Sequence, residues 1–330
     1  MRNDKVRWRA LLVLLASLAL VVGVAACGDD DDGSDDGGGG GGSTEQIQSN
    51  PDNGKVAITV GSKNFTEQLV LGEIYAQALE AAGYKVEKKL DLGSELIAKK
   101  ALETGEISGY PEYVSTALTS FFGVEPGQVP SNPQQGAAQA RAEFEKEGLT
   151  SFAPTPFASA NAVGTLKETA DKLGLTKVSD LKGKSQQLTL YGSPECRQRV
   201  DCLVGLEGPY GLTFKEFKPV DIGLRYSVLD KGQADLSILF TTDAQLAAEA
   251  DKYVILEDDK QVFPAGNVVF VTDRATVKKA GPDYQKTIEL VQSGLTEAVM
   301  QELDARVDID KETSEKVAGD YLSEEGYIGG

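Results

Sequence analysis

From Lys55 onward short apolar runs alternate with amphipathic stretches. Val56–Val60 has the period-two pattern of a strand, and Thr66–Ala82 has the helical spacing, closed by Gly83. The same pattern predicts a strand over Val86–Leu92, a helix over Glu95–Glu103 capped by Ser94, and a strand over Ile107–Tyr110. Helices over Tyr113–Phe122 and Pro133–Glu147 follow. This βαβα rhythm argues for a mostly parallel sheet covered by helices. It breaks at Pro154–Asn161, a proline-flanked run of small residues suited to a crossover, and then restarts. Strands are expected at Gln187–Leu190, Phe214–Phe217, Ala234–Phe240 and Tyr253–Leu256, with helices at Leu166–Leu173, Leu224–Asp230 and Asp243–Ala250. A second irregular stretch, Asp258–Asn267, precedes strand Val268–Thr272 and two helices, Pro282–Leu303 and Lys311–Leu322. Two irregular connections with βα repeats on both sides suggest an inserted second lobe. The expected lobes are 55–158 with 267–330, and 159–266. In such an architecture the ligand site lies at the carboxyl ends of strands, between the lobes.

The N-terminus reads differently. Arg2, Lys5, Arg7 and Arg9 precede an apolar run from Ala10 to Ala26, which ends in small residues and Cys27. That is the layout of an export signal over residues 1–26. The ending Val24-Ala25-Ala26-Cys27 looks like the lipobox of bacterial lipoproteins, in which the cysteine is acylated. The following aspartate/glycine run has nothing to bury and repels itself, so residues 27–54 are expected to be a flexible tether. The folded body is therefore expected on the extracytoplasmic face of the cell membrane, held there by lipid only.

Charge and chemistry narrow the function. The chain carries 51 acidic against 33 basic residues, a formal charge of −18, which argues against nucleic-acid partners. It contains no histidine, and no nucleophile elbow or glycine-rich phosphate loop appears, so it is not expected to be an enzyme. No metal or cofactor is expected either. With Cys27 acylated, Cys196 and Cys202 remain, and an even pair in an exported chain reads as a disulfide, with free thiols as the alternative. Glu112 and Asp243 read as solvated faces or caps, with Asp243 capping the helix it opens.

The turn Gly61-Ser62-Lys63-Asn64-Phe65-Thr66-Glu67-Gln68 joins the first strand to the first helix. Thr66 reads as the helix cap, with Phe65 stapled onto Val70. The Lys63 ammonium and the first N–H groups of the helix then converge on one spot, suited to an anion or the carboxylate of a small ligand. An ordinary capped turn with a solvated lysine is the competing reading.

Together with Gly109-Tyr110-Pro111-Glu112-Tyr113-Val114-Ser115-Thr116, Leu92-Gly93-Ser94 and Leu239-Phe240-Thr241-Thr242-Asp243, this turn resembles a known family over residues 55–325. The family comprises the substrate-binding proteins of osmoprotectant ABC importers, the glycine betaine/carnitine/choline-binding (OpuAC/ProX-type) proteins. The resemblance implies an α/β, two-lobe periplasmic-binding-protein fold (Venus-flytrap, type II). It also implies a monomer that closes on a small zwitterionic or quaternary-ammonium solute and delivers it to an ABC permease and its ATPase. The family's betaine binders surround the quaternary ammonium with tyrosines, because a group without N–H donors is recognised only by aromatic faces. They hold the carboxylate with cations.

Carried over by position, the resemblance makes Lys63 and Arg199 carboxylate contacts, with Asn64 beside Lys63, Tyr113 a cage ring and Thr116 a polar contact. Arg199 pairing with Asp201 or Glu195, and Tyr113 as core, are the competing readings. The departures are Asn161 and Gly266, which stand where cage tyrosines are expected, and Phe240, which keeps a ring. Asn161 and Asn267 are expected to offer amides instead. Each missing ring forfeits roughly 0.5–2 kcal/mol of cation–π attraction. The ligand is then either a weakly held betaine or an amino-acid-like zwitterion with N–H donors. A non-transporting extracellular sensor on the same fold remains open.

Overall fold

A computed structural model describes residues 45–329. The export signal, Cys27 and most of the tether lie outside the described residues.

Among the described residues, eleven strands build two sheets. Strands β1 (Ala57–Gly61), β2 (Lys85–Lys89), β3 (Gly109–Tyr113), β4 (Leu149–Ser151) and β5 (Ala158–Ser159) belong to the first. Strands β6 (Asn161–Leu166), β7 (Thr189–Gly192), β8 (Glu216–Pro219), β9 (Leu236–Phe240) and β10 (Tyr253–Ile255) form the second. Strand β11 (Gly266–Asp273) returns to the first. The first sheet runs β2-β1-β3-β11-β4, with β5 on β11, and the second runs β10-β6-β9-β7-β8. Pairing is parallel at β1–β2, β1–β3, β7–β8 and β7–β9, where helices connect the strands. It is antiparallel wherever β6 or β11 takes part, so both sheets are mixed. These are the strands that carry the chain across and back.

The outward crossing falls at Ala160, between β5 and β6. The return lies between Ile255 and Gly266. Asn161, expected within an irregular crossover, is thus the first residue of β6 and stands opposite Phe240 in the register. The helix Thr66–Ala81 lies between the first sheet and the C-terminal helices, so it is buried on nearly every side. Gly72 permits that approach: a Cβ there would meet Leu90 Cδ2 at 2.7 Å and Ser62 Cβ at 3.2 Å. Val70, Leu71, Ile74, Tyr75 and Phe270 form one core, and Val163, Leu190, Leu206, Leu236 and Ile238 form another in the second lobe. Burial of each such side chain contributes about 1.5–3 kcal/mol.

Several local expectations change. Residues 45–54, assigned to the tether by composition, pack on the body: the Ile47 N–H donates to Tyr327 O at 2.8 Å, and Asn50 Nδ2 to Asp283 Oδ2 at 2.8 Å. Anchoring side chains, absent from the glycine run, hold this stretch. Thr66 is not the cap; Phe65 occupies the N-cap position, and Thr66 Oγ1 bonds Asp308 Oδ1 at 2.5 Å. Pro282–Leu303 is two helices, Pro282–Ser293 and Glu297–Asp308, because Thr296 caps a new start through its bond from Val299 N. Tyr113 closes β3, and the helix expected there is Val114–Thr116 followed by a π-turn at Ala117–Phe121.

Candidate functional site

A cavity of about 150 Å³ is lined from both lobes. Lys63, Asn64 and Phe65 follow the carboxyl end of β1, and Tyr113 ends β3 with Ser115 and Thr116 beyond it. From the second lobe come Asn161 at the start of β6, Phe240 at the end of β9, and the 194–202 loop after β7. Parallel strand ends thus supply much of the site, as expected for open α/β sheets. Of the eight ligand residues expected from sequence, seven line this cavity.

Asn267 does not line it. Its Nδ2 donates to Thr155 O and Phe157 O, both at 2.9 Å, so the amide clamps the outgoing crossover against β11. Gly266 offers no room for a ring in this conformation. A Cβ there would lie 2.6 Å from Ser115 N and 2.9 Å from Ser115 Cβ, inside the backbone that carries Ser115 and Thr116. Asn161 faces the cavity with part of its amide committed, since Nδ2 donates to Asp201 O at 3.0 Å.

The 194–202 loop is closed by a disulfide, Cys196–Cys202, with Cα atoms 5.2 Å apart and both cysteines in the second core. It carries Arg199 at its middle. Arg199 holds Asp201 with two bonds, Nε to Oδ1 at 2.8 Å and Nη2 to Oδ2 at 2.5 Å. It also reaches the first lobe, with Nη1 3.3 Å from Glu95 Oε1 and Nη2 3.4 Å from Thr116 Oγ1. Of the competing partners, Asp201 therefore holds Arg199.

Lys63 is buried and paired with Glu112, which has no exposure at all. Glu112 also accepts from Tyr113 N at 2.7 Å and from the Tyr110 hydroxyl at 3.1 Å. Burial pushes the Glu112 carboxyl up, and the Lys63 charge opposes that rise. Glu112 is thus a buried counter-ion. Asp243 likewise makes no cap bond to the helix Ala244–Ala248; it accepts from Arg225 Nη2 at 2.8 Å, Tyr226 Oη at 3.0 Å and Phe240 N at 2.9 Å. Both corrections have one cause: a basic partner distant in sequence draws the carboxylate inward.

The aromatic wall is larger than sequence reasoning allowed. Phe65, read only as a staple, stacks on Tyr113 with centroids 6.2 Å apart and meets Phe240 across the lobes at 5.2 Å. Its signal in the sequence was position, two residues after Lys63 at a strand's carboxyl end. Lys63 Nζ stands 4.5 Å from the Tyr113 centroid, and the Arg225 guanidinium 4.0 Å from that of Phe240. Arg225 was also missed, although an arginine opening a helix opposes the helix dipole and so asks for another partner. Behind Tyr113, its hydroxyl bonds buried Glu67, and the carboxyls of Glu67 and Asp304 interact with each other. Burial raises both of them, Asp304 well above the ordinary range, with the Glu67 charge adding to the effect on Asp304.

The family described as the substrate-binding domain of ABC-type glycine betaine transport systems matches residues 56–324. The chain belongs to this family. A glycine-betaine-binding protein of Pseudomonas aeruginosa is 34% identical over 280 residues, covering 81% of this chain and 87% of the relative. A carnitine transport binding protein of Listeria monocytogenes is 26% identical, covering 84% and 90%. Among solved structures, a glycine betaine/carnitine/choline ABC transporter protein superposes with a TM-score of 0.63 at 26% identity, over 82% of this chain and 99% of that one. The fold is the type II periplasmic-binding-protein fold, and the family is one of transport proteins.

Proposed function

We propose that this protein is the extracytoplasmic solute-binding lipoprotein of an ABC importer. It takes a small zwitterion or quaternary-ammonium osmolyte into the cavity between its lobes and delivers it to the permease. The observation that carries this reading is one cavity holding both required chemistries. Tyr113 and Phe65 form an aromatic wall, and the Arg199–Thr116 pair supplies N–H and O–H donors at the seam between lobes. Glycine betaine and carnitine, for which relatives are named, share a trimethylammonium and a carboxylate. The rings suit the first group and the arginine the second.

Arg199 meets the carboxylate by exchanging Glu95, the longer of its ionic contacts at 3.3 Å, while Asp201 keeps it in place. Lys63, paired with Glu112 and 4.5 Å from the Tyr113 ring, shapes the wall rather than meeting the carboxylate. Because lining residues come from both lobes, the solute bridges them and favours closure about the crossings at Ala160 and 256–265. Cys27 anchors the chain through lipid; among the described residues no helix is long and apolar enough to cross a membrane.

A thermal-shift screen against betaines, choline, carnitine and amino acids tests the reading. A true ligand at a hundred times its Kd adds about 2.7 kcal/mol of stability. A panel without any shift would reject it.

A further inference from the structure

Arg225 is only 7% exposed, yet its hydrogen bonding is incomplete. Its Nε donates to Ile222 O at 2.7 Å and its Nη2 to Asp243 Oδ1 at 2.8 Å, while the buried Nη1 has no partner. An unsatisfied donor of a charged group, shut away from water, is costly to maintain. At the wall of a binding cavity, such a donor is placed to be completed by something outside the chain. Arg225 lines the cavity, so a bound solute is in a position to do so.

Two further observations point the same way. Of the other cations lining the cavity, Lys63 is paired with Glu112, and Arg199 has all three nitrogens engaged, with Asp201, Glu95 and Thr116. Arg199 and Arg225 share no partner among these contacts. Second, the Arg225 guanidinium lies over the Phe240 ring at 4.0 Å, so that face already holds a cation. A ring expected to recognise a quaternary ammonium instead supports an arginine.

We propose that Arg225 Nη1 takes a hydrogen-bond acceptor of the solute separate from the carboxylate assigned to Arg199 and Thr116. The site then selects zwitterions that carry a second oxygen function, such as a hydroxyl or carbonyl, over glycine betaine, whose carboxylate is its only acceptor. This deepens the function proposed above and rests on it. Approach of the acceptor requires a small displacement of the groups around Nη1, supplied as the lobes close on the solute. The planar fork of an arginine, with one edge on Asp243 and another free, suits the task; a lysine has no second edge.

The test is calorimetric titration of the purified full chain and its Arg225→Lys variant with glycine betaine and with carnitine. Carnitine has the same trimethylammonium and carboxylate, set two carbons further apart, plus a hydroxyl; the Arg225 variant separates the hydroxyl from the added length. The wild type is expected to bind carnitine at least tenfold more tightly. Arg225→Lys keeps a cation beside Asp243 and should lose that preference, the ratio of carnitine to glycine betaine affinity falling to within about threefold of one. If that variant does not fold, Arg225→Met with Asp243→Asn removes both charges together, strands no buried carboxylate, and should show the same loss. A preference that survives either variant, a wild type without the preference, or an equal loss for both solutes overturns the inference while leaving the proposed function intact. A folded wild type that binds neither solute, nor any other zwitterion or quaternary amine, overturns the function and this inference with it.

Discussion

Lys63→Met tests whether the buried Lys63–Glu112 pair is structural. Glu112 has no exposure and Lys63 only 4%, so removing the ammonium leaves a carboxylate in the protein interior. Breaking such a pair costs about 3–5 kcal/mol, because the remaining charge is uncompensated. At roughly 2–4 °C per kcal/mol, the melting temperature should fall by about 6–20 °C. The loss should depend on pH. Burial already raises the Glu112 carboxyl above its ordinary value, and without Lys63 it rises further. A carboxyl whose folded-state pKa is raised gives a native state that holds more protons than the unfolded chain. Stability is then retained below the unfolded-state pKa and lost as pH rises through the folded one. Lys63→Met should therefore approach the wild type in acid and diverge from it toward neutrality. Adding Glu112→Gln removes the stranded charge and should recover most of the loss. Urea unfolding from pH 4 to 8 reads all three proteins. A single variant as stable as the parent at pH 7, or a double variant no better than the single, would refute the reasoning.

Other expectations follow from the same contacts. The Glu67 and Asp304 carboxyls are both raised by burial, with Thr242, Asp243, Asp308 and Tyr113 around them. Wild-type stability should therefore decline as pH rises above the ordinary carboxylate range, and Asp304→Asn, which donates an N–H to Glu67, should flatten that decline in a melting series. Arg199→Ala strands Asp201 and removes the proposed carboxylate anchor, so calorimetry should show a binding loss of about 2–5 kcal/mol; affinity equal to the parent would displace Arg199 from the site. Gly266→Tyr should fail to build a cage ring, lowering the melting temperature without gaining betaine affinity, because its Cβ meets the backbone at Ser115.

Much of the lining of this cavity was legible before the fold was known. Lys63 follows and Phe240 ends a strand that the apolar pattern marks, Tyr113 was placed by its Tyr-Pro-Glu-Tyr motif rather than by periodicity, and two cysteines six apart closed the loop that carries Arg199. What stayed hidden was pairing. Glu112 lies 49 positions from Lys63, and Asp243 lies 18 from Arg225. An isolated acidic residue carries no sign of whether a distant cation draws it inside. Asn267 was misplaced for a related reason: an amide that clamps two backbone carbonyls looks the same in sequence as one that meets a ligand. Composition set the end of the tether too late, since Ile47 and Asn50 find partners more than two hundred residues away, at Tyr327 beyond the last helix and at Asp283 in the helix Pro282–Ser293.

The central claim is that a small zwitterion or quaternary ammonium binds between the lobes against Tyr113 and Phe65. Titration calorimetry of the wild type and Phe65→Ala with glycine betaine, choline and carnitine tests it most directly. The account predicts saturable one-to-one binding of at least one of these by the wild type, weakened at least several-fold in Phe65→Ala through loss of ring contact. Binding unaffected by Phe65→Ala, or no binding by folded protein of any of the three or of any other zwitterion or quaternary amine, would contradict it.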